Sequence, residues 1–367
     1  MIVNTIIKGD LLESRKVQKV GYSTLTVSLP SEWVKQRNIS AGDLVFLSAE
    51  RDGTLKILPS EIAHKEEAEE CIVNVDACDE RGMLERIIVG CYILGRDVIR
   101  LNSSGRIDKE HIDEVRRVVR KLIGLGIIEE TSNTILLQCS VDVVKFKIDM
   151  LIRRLSIIAS TILSDAMQAF LEKKESLAVD AISREDEADT IYYLAVRLLL
   201  SAQRKTDIAE HIGATDVVFL PAIRLILQSL ELISDYAEDI AKNVIELGAR
   251  RSKLPDDVVQ RICHCGELAQ TIFQKALDCV FSHDLVVANG VLEMQNVLQK
   301  EAEMLMKELP EIPYLRALTS SLIRIADMGA AIANIAVNRA IERPSKDAEK
   351  IIKIVKHVRT VSLPTKM

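Results

Sequence analysis

The chain has 367 residues, of which 48% are hydrophobic and only 4% aromatic, with 15 glycines and 8 prolines. That length can bury several cores, and few breakers with few aromatics favour packed helices over sandwiches or barrels. A net charge of -6 excludes a uniformly basic surface for nucleic acid, though not a local one.

Residues 1–60 read as a small β-rich head. Lys16–Val20, Thr24–Leu29, Leu44–Leu47 and Leu55–Leu58 are short β-like runs. They are separated by Gly21-Tyr22-Ser23, a helical turn from Pro30 through Arg37, Gly42-Asp43 and the hairpin signal Asp52-Gly53. Pro30 starts the turn where a missing N–H costs nothing. Four strands and one helix cannot bury enough apolar surface alone, which predicts a homodimer. The run Val20-Gly21-Tyr22-Ser23-Thr24-Leu25-Thr26-Val27-Ser28-Leu29-Pro30-Ser31-Glu32-Trp33-Val34, followed by Gly42-Asp43-Leu44-Val45 and Asp52-Gly53-Thr54-Leu55-Lys56-Ile57, resembles the AbrB-type swapped-hairpin domain. The resemblance implies an intertwined homodimer that sets basic residues against DNA. Arg15, Lys16 and Lys19 are the first candidates for phosphate contact, and Lys35 and Arg37 are further ones. Eight basic against six acidic side chains in residues 1–60 make the head weakly basic, a balance that a solvated or purely dimerising face shares.

Residues 66–140 alternate between the two periodicities. An apolar run Cys71–Val75, a helix through Met83–Leu94, a run Val98–Leu101, a helix from Asp108 to Leu125 and runs near Ile127 and Ile135 predict a small α/β unit. Asp108 is placed to cap the second helix. No nucleophile, glycine-rich phosphate loop or ligand spacing marks this segment, so packing or a ligand-gated adaptor role is all it suggests.

From residue 142 the pattern is of long amphipathic helices, broken near Lys173, at Lys205–Ala214, near Lys253-Leu254-Pro255, at His283, at Pro310–Pro313 and at Arg343-Pro344. This predicts three helices over residues 142–250, three over 254–342, and a short terminal helix and tail over 345–367. Pro221, Arg224, Leu230, Asp235, Ile240 and Ala241 recur 92 residues later as Pro313, Arg316, Leu322, Asp327, Ile332 and Ala333. A repeat of that length implies two similar bundles. The first bundle carries Glu185/Asp189 and Glu231/Asp235, each pair one turn apart on a helix face, so two packed helices can aim four carboxylates at one point. The second bundle has Ile323, Met294 and Leu298 where three of these would stand, and keeps only Asp327. Oxygen-only ligation suits Mg, Mn or Ca, whereas iron or zinc usually takes some His, and no His lies in either motif.

The segments Arg184-Glu185-Asp186-Glu187-Ala188-Asp189-Thr190-Ile191-Tyr192 and Leu230-Glu231-Leu232-Ile233-Ser234-Asp235-Tyr236-Ala237-Glu238-Asp239-Ile240-Ala241, in this repeated layout, resemble the E(D)-x-x-x-D motifs of PhoU-family phosphate-uptake regulators. The resemblance spans residues 142 to 342 and implies a divalent or iron-type metal ion, with Glu185, Asp189, Glu231 and Asp235 as ligands. The bland alternative is an ordinary solvated acidic face. Cys263-His264-Cys265 does not suit a metal, since alternate residues on a helix point about 200° apart.

The expected whole is a multidomain, mainly α protein: a swapped-hairpin head, a small α/β unit and two three-helix PhoU-like bundles. Seven cysteines without C-x-x-C spacing, and no signal-peptide pattern at the start, predict reduced thiols and a cytoplasmic location. No apolar run reaches the roughly 20 uncharged residues of a bilayer span, so membrane insertion is not expected. The functional expectation is a dimeric DNA-binding regulator of phosphate uptake. Its rival is an adaptor that binds a phosphate transporter or a signalling protein such as a sensor kinase, with the head only dimerising. Catalysis is not expected, because the acids have no nucleophile beside them and a dinuclear carboxylate enzyme would show Glu-x-x-His on two helices.

Overall fold

A computed structural model describes residues 4–7, 10–49, 53–60, 70–216, 218–346 and 348–352, divided between an N-terminal unit, residues 1–68, and a larger one, residues 69–367. In the first unit three antiparallel hairpins follow one another. β1 (Asn4–Ile7) pairs with β2 (Asp10–Glu13), β3 (Gln18–Val20) with β4 (Thr24–Thr26), and β5 (Val45–Ala49) with β6 (Leu55–Pro59). The first hairpin lies ahead of the segment where patterning placed the first strand. Gly21, at φ 67°, makes the tight turn into β4. β3 and β4 are shorter than the apolar runs suggest, and Lys16 falls in the approach to β3. Asp52 of the expected hairpin signal lies outside the described residues. Between the hairpins, α1 (Ser31–Gln36) follows Pro30 and buries none of its residues. Pro59 is the one buried side chain among those described in the head. Val17, Tyr22, Leu25, Leu44 and Leu47 are exposed.

The second unit opens with an α/β module. β7 (Glu70–Asn74), β8 (Val98–Asn102), β9 (Leu125–Glu130) and β10 (Thr134–Cys139) form one sheet in the order β7-β8-β10-β9. β7 and β8 are parallel and the other pairs antiparallel. Parallel neighbours need a crossover, and α2 (Met83–Ile93) supplies it. α3 (Lys109–Lys121) covers the sheet with Val115 and Val118, followed by Leu122, against Ile99, Leu101, Ile135 and Leu137. The Glu114 carboxylate accepts the Gly82 N–H at 2.8 Å, pinning the start of α2 to α3. α3 ends four residues before the expected Leu125, which instead begins β9. Gly124, at φ +78° and with Val141 Cγ2 only 2.7 Å from where a Cβ would lie, sets this turn. Asp108 occupies the N-cap position without a side-chain capping hydrogen bond.

The helices follow as α4 (Ile148–Glu172), α5 (Glu175–Arg204), α6 (Thr206–Ile212), α7 (Leu220–Leu247), α8 (Asp256–Ser282), α9 (Leu285–Glu308) and α10 (Pro313–Glu342). α4, α5 and α7 pack together, as do α8, α9 and α10, while α10 also packs on α7 and α8 on α4. The duplication is visible in three dimensions: Pro221 and Pro313 stand in the first turns of α7 and α10, and Leu230/Leu322, Ile240/Ile332 and Ala241/Ala333 are all fully buried. One apolar core runs without interruption through both sets of three. Short α6 is an addition to the expected pattern, inside the predicted break. Of the expected terminal helix, a single 3-10 turn at Ala348–Lys350 is described, and residues 353–367 lie outside the described residues. By length and mean hydropathy, 1.3 over its most apolar window, α10 could cross a bilayer, but Arg316, Arg324, Asp327 and Arg339 interrupt it, so it offers no uncharged run of bilayer length. Half of that window is buried inside the bundle, with Leu315, Leu318, Leu322 and Ile325 in the core.

Candidate functional site

The four predicted acids lie on the two packed helices α5 and α7, linked through Asp189, with no three of them converging on one point. Glu185 and Asp189 stand one turn apart on α5, Glu231 and Asp235 one turn apart on α7, and all four are half-buried. Asp189 is the hinge of the group, since its charge acts on Glu185, Glu231 and Asp235 alike. Burial, then the charges of Asp189 and Glu238, pushes the Glu185 carboxyl up to about 8. Burial, then Asp235 and Asp189, raises Glu231 to about 7. Burial, then Asp189, Glu238 and Asp239, raises Asp235 to about 6. Burial likewise raises Asp189, against the opposing pull of Lys121.

Neutral and cationic groups frame these acids. Gln228 Nε2 donates to Glu231 at 2.6 Å, while Gln228 Oε1 accepts from the Tyr192 hydroxyl at 2.7 Å and from Arg224 at 3.3 Å. The Arg224 guanidinium lies over the Tyr192 ring at 5.3 Å. Lys242 pairs with Glu238 at 2.6 Å along α7. Lys121, the last residue of α3, places its Nζ 2.8 Å from Asp186 and 3.5 Å from Asp189. Burial works against the Lys121 charge, but the hydrogen bond to Asp186 and the charges of Asp189, Asp186 and Glu185 outweigh it and hold its pKa up. Gln228, Glu238 and Lys121 were not among the predicted site residues. Gln228 and Glu238 have the right helical spacing to be found, whereas a lysine in a last helical turn is common for electrostatic reasons of its own.

Four half-buried carboxylates whose charge is opposed by burial fit a hard divalent cation in charge and donor chemistry. Among the described residues no three His, Cys, Asp or Glu side chains converge closely enough to hold an ion as they stand. In the second bundle the lone Asp327 accepts a hydrogen bond from Gln295 at 2.8 Å, and Leu298 is buried in the core. At Cys263-His264-Cys265, Cys265 points into the core while exposed His264 approaches Glu301 at 3.5 Å, so the triplet is divided between two faces.

In the head, Lys19 lies on β3, Arg15 and Lys16 in the residues leading into it, Lys35 on α1 and Arg37 at its C-cap. Lys16, Lys19, Lys35 and Arg37 are exposed, and Arg15 is half-buried.

The acidic helices coincide with a known family. Residues 152–244 match the PhoU domain. The PhoU domain thus runs from α4 through most of α7 and contains all four acids. Residues 18–63 match the family described as antidote-toxin recognition MazE, bacterial antitoxin, so the head is MazE/AbrB-like. Among solved structures, the phosphate transport system regulatory protein PhoU from Streptococcus pneumoniae is similar at 20% identity over 53% of this chain and 94% of that one, with a TM-score of 0.43. No curated protein matches the sequence.

Proposed function

We propose that this chain is a non-enzymatic, cytoplasmic regulator of phosphate uptake, in which a homodimeric MazE/AbrB-like head binds DNA and a PhoU-like body senses state through its acidic face. The observation that carries the reading is the presence of both domains in one polypeptide. The bare apolar side chains of Val17, Tyr22, Leu25, Leu44 and Leu47 support dimerisation, because a head this small cannot leave them in water and remain stable. Lys16, Lys19, Lys35 and Arg37 are exposed and available to phosphates, with Arg15 beside them. The test is a salt titration of full-length protein on DNA upstream of phosphate-transport genes. A steep salt slope with sequence preference is expected, and no binding at low salt refutes the reading.

The near balance of charge in the head favours a second reading, in which the head only dimerises and the body docks on a phosphate transporter or sensor kinase. The same titration separates the two.

The acidic face completes the proposal. A divalent cation held by Glu185, Asp189, Glu231 and Asp235 would relieve the mutual repulsion of these side chains and couple the sensory body to ion availability. Replacing Glu231→Gln and Asp235→Asn together is expected to lower bound metal per chain. Equal metal in variant and wild type, by elemental analysis, refutes a site built on these acids.

A further inference from the structure

The α/β module touches the PhoU domain along one helix, α5, and holds it in two ways. At one end Arg197, 5% exposed, donates to the Tyr92 carbonyl at 2.6 Å and the Arg96 carbonyl at 3.1 Å, and pairs with Asp97 at 2.5 Å. Its guanidinium also lies over the Tyr92 ring at 4.9 Å. Arg204, two turns further along α5, donates to the Leu94 carbonyl at 2.9 Å. Tyr193 packs against the cores of both modules. At the other end the hold is ionic. The Lys121 ammonium sits between Asp186 and Asp189, with one-third of its side chain open to water.

These two ends differ in what can compete with them. The buried Arg197 guanidinium, bonded to backbone carbonyls, has no solution rival, because a free cation cannot reach those bonds; Arg204 is exposed and adds to this end from the surface. A partly wet ammonium beside a carboxylate is exchangeable for any cation that binds the same oxygen more strongly. Asp189 is both the partner of Lys121 and the acid whose charge reaches the other three. An ion among the four carboxylates would therefore face a second positive charge at ion-pair distance from its central ligand. The second bundle supplies the contrast: Asp327, the one acid it keeps at the corresponding positions, is met by the neutral amide of Gln295.

We propose that Lys121 is the resident counter-ion of the acidic face, and that a divalent cation loading among Glu185, Asp189, Glu231 and Asp235 displaces it and loosens the α3 end of the α/β module while the Arg197 end stays fixed. The displacement rests on the cation reading above; the counter-ion role rests on the ion pairs alone. It gives the α/β module a job that its own residues do not announce: it reports occupancy of the face by the angle at which it sits on α5.

The test compares the full-length wild type with Lys121→Met, which keeps the stem and removes the charge, by Mn²⁺ titration calorimetry and by hydrogen exchange. Lys121→Met is expected to bind Mn²⁺ about fivefold more tightly, the scale of one partly exposed ion pair. In wild type, Mn²⁺ should speed exchange in the last turn of α3 and leave Tyr92–Arg96 unchanged; in Lys121→Met that turn should exchange fast before any metal is added. Lys121→Arg should restore wild-type values. Equal, measurable Mn²⁺ affinity in wild type and Lys121→Met overturns the displacement. Unchanged α3 exchange in metal-free Lys121→Met overturns the counter-ion role. Lack of Mn²⁺ binding to either protein overturns the cation reading itself, and the displacement with it.

Discussion

Replacing Glu185→Gln isolates the electrostatic cost of the acidic face. The Glu185 carboxyl titrates near 8 in the folded protein, against an ordinary value near 4.5, chiefly because burial and Asp189 disfavour its charge. Between those values the folded chain holds a proton that the unfolded chain has released, so stability is fully present below the lower value and is lost as pH rises towards the upper one. Taken at face value the window is worth about 5 kcal/mol, at ~1.4 kcal/mol for each pH unit. Glu185 is only half-buried and interacts with Asp189, so screening reduces this to about 1–2 kcal/mol. Glutamine has nearly the same size and no charge to lose. The variant in chelator should melt a few degrees above wild type at pH 8, taking roughly 2–4 °C per kcal/mol for a domain of this scale. At pH 5 the two should nearly coincide. Thermal unfolding followed by circular dichroism at both pH values reads the difference. A variant that melts at or below wild type at pH 8 refutes the claim that repulsion and burial, rather than useful contacts, dominate at Glu185.

Replacing Arg197→Ala removes the buried anchor of the α/β module and should cost about 3 kcal/mol, read as faster hydrogen exchange through Tyr92–Asp97; unchanged protection there contradicts the anchor. Gly329→Ala puts a methyl 2.7 Å from Ile272 Cγ2 and 3.0 Å from the Phe273 backbone. Prying α10 from α8 in this way should destabilise by about 1–3 kcal/mol in denaturant titration, and a neutral effect would mean that the helices part freely. Replacing Arg15, Lys16 and Lys19 together by Ala should weaken DNA binding across sequences and flatten its salt dependence, since fewer counterions are released; unchanged affinity and slope remove them from the interface.

The sequence reveals the helical half well because its signals are local. Lys173 and His283 interrupt apolar periods and prove to be C-caps at φ 60° and 57°. Glu185/Asp189 and Glu231/Asp235 declare themselves by spacing, and the repeat supplies the reason to pair the two helices. The extent of α3 is harder to read, because the apolar period runs on through Leu122 and Leu125 and only the crowding of Gly124 against Val141 shows where the backbone turns. The hairpin of β1 and β2 escapes because Ile6, Ile7, Leu11 and Leu12 offer no clean alternation within four-residue strands. Lys121 is invisible as a site residue for a different reason: its partner Asp189 is 68 residues away and in another module, and periodicity carries no information about such a meeting.

The unbroken core of the helical half turns a duplicated sequence into a single object. In a string of repeats each unit touches only its neighbours, so a unit can be taken from the end and the shortened stack keeps the same kind of interface throughout. Here α4 rests on α8 and α7 on α10, so neither half has an outside on the side where the other begins. A chain cut after Leu247 would present to water the very flanks that α8 and α10 cover, and its copies would be drawn to one another to hide them. At the positions of the first half's acids the second half sets Met294, Leu298 and Ile323, and all three are spent on that same core. The second half thus serves the first as a foundation, through the surface it hides.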